Sequence, residues 1–231
     1  MKVMAITQAI NKGLWLIKWP VALLSVSALP AILSALFWLL AKMSLSLDQS
    51  GLFVSGFLGY VILDRLLFSR RFMGSSFSTF EHELTHALFA WLTLHRVTKL
   101  KVTWRSGGMV EIVGGGNWLI SIAPYWFPTL CLPVILLAEL GLDRAWWCPM
   151  SLGLTCAYHL VSTWRETHKG QRDLQETSFL FAWLFLPSAN LVTFGLIFAF
   201  AHAGLEGSSE LLNELLRAYQ GSVSALFGDA L

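Results

Sequence analysis

Four long stretches without Asp, Glu, Lys or Arg constrain the fold of this chain more than any other feature. They cover residues 19–41, 112–138, 145–164 and 177–205. A membrane-crossing helix needs about 20 apolar residues, and each stretch reaches that length. Residues 49–63 are shorter and would cross only if the helix continued through Asp64 and Arg65, whereas residues 77–94 are long enough but charged at the centre. The pattern predicts an all-α polytopic membrane protein with about six membrane segments.

The composition agrees with a lipid environment and excludes several function classes. Charged residues make up 13% of the chain and apolar residues 55%, whereas an ordinary soluble domain has about 25% charged residues. Lys and Arg (16) nearly balance Asp and Glu (14) and do not cluster, so no nucleic-acid partner is expected. The three cysteines lack C-x-x-C spacing and are predicted to be buried apolar side chains. The stretch 19–41 exceeds the roughly 7 to 15 residues of a signal-peptide core, which favours an uncleaved anchor.

Two further segments have recognisable periodicity. Residues 97–113 alternate between apolar and polar side chains on both sides of a Ser-Gly-Gly turn, which predicts a β-hairpin between two membrane helices. Residues 210–227 have apolar side chains near helical spacing and predict an amphipathic helix along the membrane interface.

The positive-inside rule does not orient the chain, because six crossings would place equal numbers of Lys and Arg on the two sides. A re-entrant segment would explain this balance. The candidate is residues 117–138, where Pro124, Pro128 and Pro133 each remove a backbone donor.

The charged centre of residues 77–94 contains the motif His82-Glu83-Leu84-Thr85-His86, or H-E-x-x-H. On a helix this spacing places both imidazoles on one face, where they can bind one zinc ion. Zinc lowers the pKa of bound water from 15.7 to about 7, and a neighbouring carboxylate can accept the proton released. The pattern predicts peptide-bond hydrolysis with Glu83 as the general base. The alternative is that the His and Glu side chains of this helix pair with one another or with Arg and bind no metal.

The motif and its surroundings resemble the site-2 protease family of intramembrane zinc metalloproteases. The similarity covers roughly residues 72–200: the motif helix, the following β-hairpin, the sequences Gly116-Asn117-Trp118 and Ala123-Pro124-Tyr125, and further apolar spans. No PDZ domain is recognisable, so the chain is similar to the compact bacterial branch. The resemblance implies a multi-pass protein of the bacterial inner membrane. It further implies one membrane domain over residues 1–231, divided into accessory spans (1–71), a catalytic core (72–205) and a tail (206–231).

The resemblance also implies a third zinc ligand, an Asp from a later segment. The wider family has Asp before Gly, but no Asp of this sequence precedes Gly, and Asp173 is the best candidate. A solvated loop carboxylate is the alternative for Asp173, and His159 is the alternative ligand. Glu81 is predicted to support the site from outside the ligand set.

The implied substrate is a membrane protein with a transmembrane helix, which must unwind locally before its backbone can be cut. An edge of the hairpin, at Val110 and Ile112, could pair with the unwound segment, although the hairpin could instead be a structural plug. Asn190 could donate a hydrogen bond to substrate or join two helices. Two other functions stay open: a non-hydrolytic zinc-binding transporter or scaffold, and a protease for lipidated or soluble peptides.

Overall fold

The computed structural model describes residues 2–43, 47–68, 74–103, 107–141, 146–168 and 170–228. Most of them are helical, as the sequence predicts. The helices are α1 (Lys2–Ser27), α2 (Leu29–Met43), α3 (Leu47–Leu63), α4 (Gly74–Leu92), α5 (Trp118–Ile122), α6 (Cys131–Glu139), α7 (Trp147–Glu166), α8 (Arg172–Thr177) and α9 (Phe179–Phe227). A π-helical turn (Asp64–Phe68) follows α3, and a 3-10 turn (Ala123–Tyr125) follows α5.

The predicted β-hairpin is confirmed. Strands β1 (Val97–Thr103) and β2 (Gly107–Ile112) pair antiparallel directly after α4. Leu100 lies opposite Val110, and Val102 lies opposite Gly108. Both strands pack on α4, so the hairpin covers the helix that carries the H-E-x-x-H motif.

The stretch 112–138, predicted as one span, is not a single helix. The side chain of Asn117 accepts hydrogen bonds from the backbone N–H groups of Leu119 and Ile120, which starts the five-residue helix α5. The 3-10 turn and a further non-helical turn then precede the nine-residue helix α6. Prolines in this stretch lack the N–H that a continuous helix needs. A broken path of this kind agrees with the re-entrant alternative.

The last long helix, α9, reverses direction. Its backbone is non-helical at Ala203 and Gly204, and the hydroxyl of Ser208 donates to the carbonyl of Leu196 at 3.1 Å. Residues twelve positions apart in a straight helix would be about 18 Å apart. We call residues 179–202 the first arm and residues 205–227 the second arm. The two arms are antiparallel neighbours.

The second arm contains the predicted amphipathic helix, whose position along the membrane interface stays a prediction. Leu211 is buried against α2 and the first arm, among Ala35, Leu39 and Ala199. Ala35 and Leu39 belong to α2 and Ala199 belongs to the first arm, so the second arm packs beside both helices.

Helices α1 and α2 together follow the first arm. The Trp19 and Phe181 rings meet edge to face, and the Ser188 hydroxyl donates to the carbonyl of Ser25. The two helices are bent by 50° where they join. The predicted span 19–41 therefore includes the bend.

Helices α3 and α7 approach closely because glycines lie at their contact. A Cβ atom at Gly56 would be 2.0 Å from the carbonyl oxygen of Met150, and one at Gly153 would be 2.0 Å from that of Phe53. Small residues of this kind are typical of helix contacts in membranes.

Among the described residues, one helical stretch, Phe179–Ala225, is long and apolar enough to cross a membrane by length and composition. The bent pair Met4–Ser27 and Leu29–Met43 passes the same test when taken together. The number of membrane crossings stays a prediction.

Candidate metal centre

The two histidines of the motif lie one turn apart on α4, with ring centroids separated by 4.7 Å. Each ring is oriented through its Nδ1 atom. His82 Nδ1 donates to the carboxylate of Glu166 at 2.9 Å, and His86 Nδ1 donates to the carbonyl of Ile120 at 2.8 Å. When the rings are neutral, these acceptors place the proton on Nδ1 and leave the Nε2 lone pair available to a metal ion.

Asp173 meets both histidines from α8. Its Oδ2 atom is 3.3 Å from His82 Nε2 and 3.5 Å from His86 Nε2. The Tyr125 hydroxyl donates to the same oxygen at 3.4 Å. One potential ligand atom from each of His82, His86 and Asp173 lies within 4.8 Å of the other two. The structure thus brings together the three predicted ligands. Asp173 lies 91 residues after His82 in the sequence.

The donor set fits a zinc ion. Two neutral imidazoles and one carboxylate would each direct a lone pair at the ion, and zinc accepts this set of protein ligands. Tetrahedral zinc with bonds of about 2.1 Å separates its ligand atoms by about 3.4 Å, close to the observed 3.3 and 3.5 Å. Carboxylate and carbonyl acceptors at the Nδ1 atoms are the partners that metal-binding histidines usually have.

The carboxyl of Asp173 titrates abnormally. Burial alone would raise its pKa, but without a metal the two histidines, when protonated, supply hydrogen bonds and positive charge that outweigh burial and hold the pKa of Asp173 well below its usual range. The group is therefore ionised at neutral pH, as a metal ligand must be.

Glu83 shares a cavity of about 640 Å³ with the three candidate ligands. Strand β2 forms one wall of this cavity, and α8 forms another. Gly108 of β2 lies directly against the Glu83 side chain, since a Cβ atom at Gly108 would be 2.7 Å from Glu83 Oε1. The carboxylate predicted to be the base therefore lies beside both the metal ligands and the strand.

The free edge of β2 lies at the same cavity. Val113 N–H donates to Arg96 on the β1 side, and N–H groups alternate in direction along a strand. Those of Gly108, Val110 and Ile112 therefore face away from β1, and among the described residues no backbone hydrogen bond outside the strand pair involves them. All three residues line the cavity, so the predicted substrate residues Val110 and Ile112 lie where an extended peptide could pair.

The other candidate residues lie apart from the ligands. His159, the alternative ligand, is buried beside Glu81, with 3.4 Å between His159 Nδ1 and Glu81 Oε1. Glu81 itself contacts this histidine and neither of the motif histidines. Asn190 uses its amide to donate to the carbonyls of Tyr125 and Leu186, which is the helix-joining alternative, and it does not line the cavity.

Sequence reasoning missed four residues of the site: Glu166, Ile120, Tyr125 and Gly108. Glu166 follows the uncharged stretch 145–164 directly in a charged segment that is typical of a loop, whereas in the structure it is the last residue of α7. Ile120 contacts His86 through its backbone carbonyl, and the residue type at position 120 gives no indication of such a contact. In the sequence, Gly108 is part of the predicted Ser-Gly-Gly turn. Only the structure shows that its backbone lies against the Glu83 side chain.

Comparison with known proteins identifies the family. The model of the Peptidase M50B-like family matches residues 71–206, which is more than half of the chain and contains α4, the hairpin and α8. The chain therefore belongs to the Peptidase M50B-like family, and the resemblance to site-2 proteases is confirmed. Members of this family are membrane-embedded peptidases. No curated protein and no solved structure matches the chain.

Proposed function

We propose that this protein is a multi-pass zinc endopeptidase that hydrolyses peptide bonds in or near the transmembrane segments of other membrane proteins. The observation that carries the proposal is the convergence of His82, His86 and Asp173 beside Glu83 in one cavity. Membership of a peptidase family supports the reaction class. The bacterial inner membrane is the proposed location.

Each residue of the site has a separate role in the proposed hydrolysis. His82, His86 and Asp173 would hold the metal, and zinc there would acidify a water molecule and polarise the peptide carbonyl. Glu83 would accept a proton from the attacking water as the C–O bond forms, and it would then deliver the proton to the leaving amine as the C–N bond breaks. The Glu166 and Ile120 acceptors keep the two imidazoles oriented throughout.

Substrate binding follows from the free edge of β2. A transmembrane helix presents no free backbone donors or acceptors, so it must unwind before it can be cut. The outward N–H and C=O groups of Gly108, Val110 and Ile112 would pair with the unwound segment and hold it across the cavity. Backbone pairing tolerates many side chains, so local helix stability would govern which segment is cut.

Exposed aromatic side chains support a lipid environment. Phe37 on α2, Trp164 on α7 and Trp183 on α9 are exposed by 70%, 84% and 75% of their surface. Exposed apolar surface of this extent on several helices indicates contact with a membrane or a partner.

The decisive experiment compares wild type with Glu83→Gln, using purified full-length chain in proteoliposomes with a single-span substrate. Gln keeps the size of the side chain but cannot accept the water proton, so cleavage should fall by about 10² to 10⁴-fold while zinc stays bound. Glu214→Gln, on the second arm of α9, is the matched control and should cleave normally. Unchanged cleavage by Glu83→Gln would exclude this mechanism, and zinc flux that persists in that variant without any cleavage would favour the transporter.

A further inference from the structure

Glu166 contacts a candidate metal ligand and takes no part in the proton transfers of the proposed hydrolysis. It is the last residue of α7, and its Oε2 atom accepts the proton of His82 Nδ1 at 2.9 Å. The partner of His86 is the backbone carbonyl of Ile120, so this contact does not depend on a side chain. Orientation of His82 therefore depends on where α7 ends and how firmly that end is held.

The end of α7 is held by an ion pair to another helix. Arg165, next to Glu166, donates through both terminal nitrogens to Asp64, at 3.1 and 2.6 Å. The Asp64 side chain is 4% exposed. A carboxylate this deeply buried needs its partner, because an unpaired buried charge is costly, so the two-point contact fixes the position of Arg165.

Asp64 lies in the π-helical turn after α3, outside residues 71–206 that match the family. Helix α3 packs closely on α7 through Gly56 and Gly153. A continuous series of contacts therefore runs from an accessory helix to a metal ligand: Asp64 to Arg165, then Glu166 to His82.

We propose that Glu166 is a positioning residue for the metal centre and that the accessory ion pair between Asp64 and Arg165 holds it in place. The inference rests on the proposed function, because it assigns a zinc ligand role to His82. The new element is that a residue outside the family match, Asp64 in the turn after α3, helps to position the metal ligands and so affects zinc affinity.

The first test measures the zinc dissociation constant of the purified full-length chain by competition with a chelator. Glu166→Ala removes the acceptor and should weaken zinc binding by about 10 to 100-fold, the usual cost of losing a partner of a metal-binding histidine. Glu166→Gln keeps an oxygen acceptor for Nδ1–H and should lose less than about tenfold. Equal affinity in wild type and Glu166→Ala would overturn the proposal, as would a Gln variant as weak as the Ala variant.

The second test asks whether Asp64 acts through Glu166. Asp64→Asn alone should weaken zinc binding, and adding it to Glu166→Ala should cause no further loss, because residues in one network have non-additive effects. Independent, additive losses would overturn the coupling. Melting temperatures of the zinc-free proteins provide a second readout, so a folding defect is distinguished from a loss of affinity.

A matched control is the ion pair between Lys42 and Glu210, near the turn between the two arms of α9. Glu210→Gln removes a more exposed salt bridge, far along α9 from the metal centre, and should leave zinc affinity unchanged. Failure of this inference is separable from failure of the proposed function. If wild type binds no zinc the proposed function fails, whereas wild-type zinc binding and cleavage with full affinity in Glu166→Ala refutes the positioning role alone.

Discussion

A Cβ atom at Gly108 would lie 2.3 Å from Cγ of Glu83, so the strand and the proposed base fit together only because position 108 has no side chain. Gly108→Ala should displace either the carboxylate or the hairpin. Misplacement by about 1 Å can reduce a catalysed rate by about 10²-fold, and we expect a loss of this size in substrate cleavage with zinc content unchanged. Gly116→Ala is the control, since Gly116 lines the same cavity and has no atom within 4 Å of an added Cβ.

Metal content should follow the three converging side chains. His82→Ala, His86→Ala and Asp173→Ala should each reduce bound zinc from about one per chain to a small fraction, because three protein ligands are the usual minimum for a catalytic zinc site. Metal analysis of the purified variants measures this. His159→Ala should keep its zinc, since His159 contacts Glu81 instead. Loss of zinc in that variant with retention in Asp173→Ala would transfer the ligand role to His159.

Strand pairing of the substrate can be tested at Val110. Proline there removes an N–H that faces away from β1, so the hairpin keeps its ladder while the substrate loses a donor. We expect slower cleavage with full zinc content. Val110→Ala, which keeps the N–H and removes side-chain atoms, should cleave close to the wild-type rate.

The same hypothesis predicts that Gly or Pro near the scissile bond of the substrate increases cleavage, because both lower helix stability. Full cleavage by Val110→Pro and Ile112→Pro, with a substrate indifferent to added Gly, would leave the hairpin as a plug.

The contact between α3 and α7 should be sensitive to a single methyl group. Gly153→Ala places a Cβ atom 2.0 Å from a backbone oxygen, and overpacking of this kind costs about 1 to 3 kcal/mol. The melting temperature of the detergent-solubilised protein should fall. Gly59→Ala adds the same atom to α3 where nothing lies within 4 Å, and it should leave the melting temperature unchanged or raise it.

The spacing of residues along the sequence was sufficient to predict those parts of the site that lie on a single helix or hairpin. The positions of His82, Glu83 and His86 depend only on helical periodicity, and the hairpin depends only on alternation and a turn. These features need no knowledge of how helices pack, so sequence could predict them.

Asp173 required tertiary information. If residues 112–138 crossed as one span, the number of crossings would place Asp173 on the side opposite the start of the motif helix. In the structure this stretch consists of α5, a 3-10 turn and α6. It is therefore not one continuous helix, and the number of crossings before Asp173 does not follow from its length. The family resemblance, not the spacing, indicated the carboxylate that the structure places beside the two histidines.

The reversal in α9 bears on the orientation of the molecule. The second arm returns the chain from the turn at Ala203 and Gly204 towards the end where α9 begins, next to α8 and Asp173. An affinity tag placed after residue 228 should therefore emerge at the same end as the catalytic cavity, and a short epitope inserted at the turn should emerge at the other. Accessibility of the two epitopes in sealed vesicles would then show from which side of the membrane water reaches the metal centre.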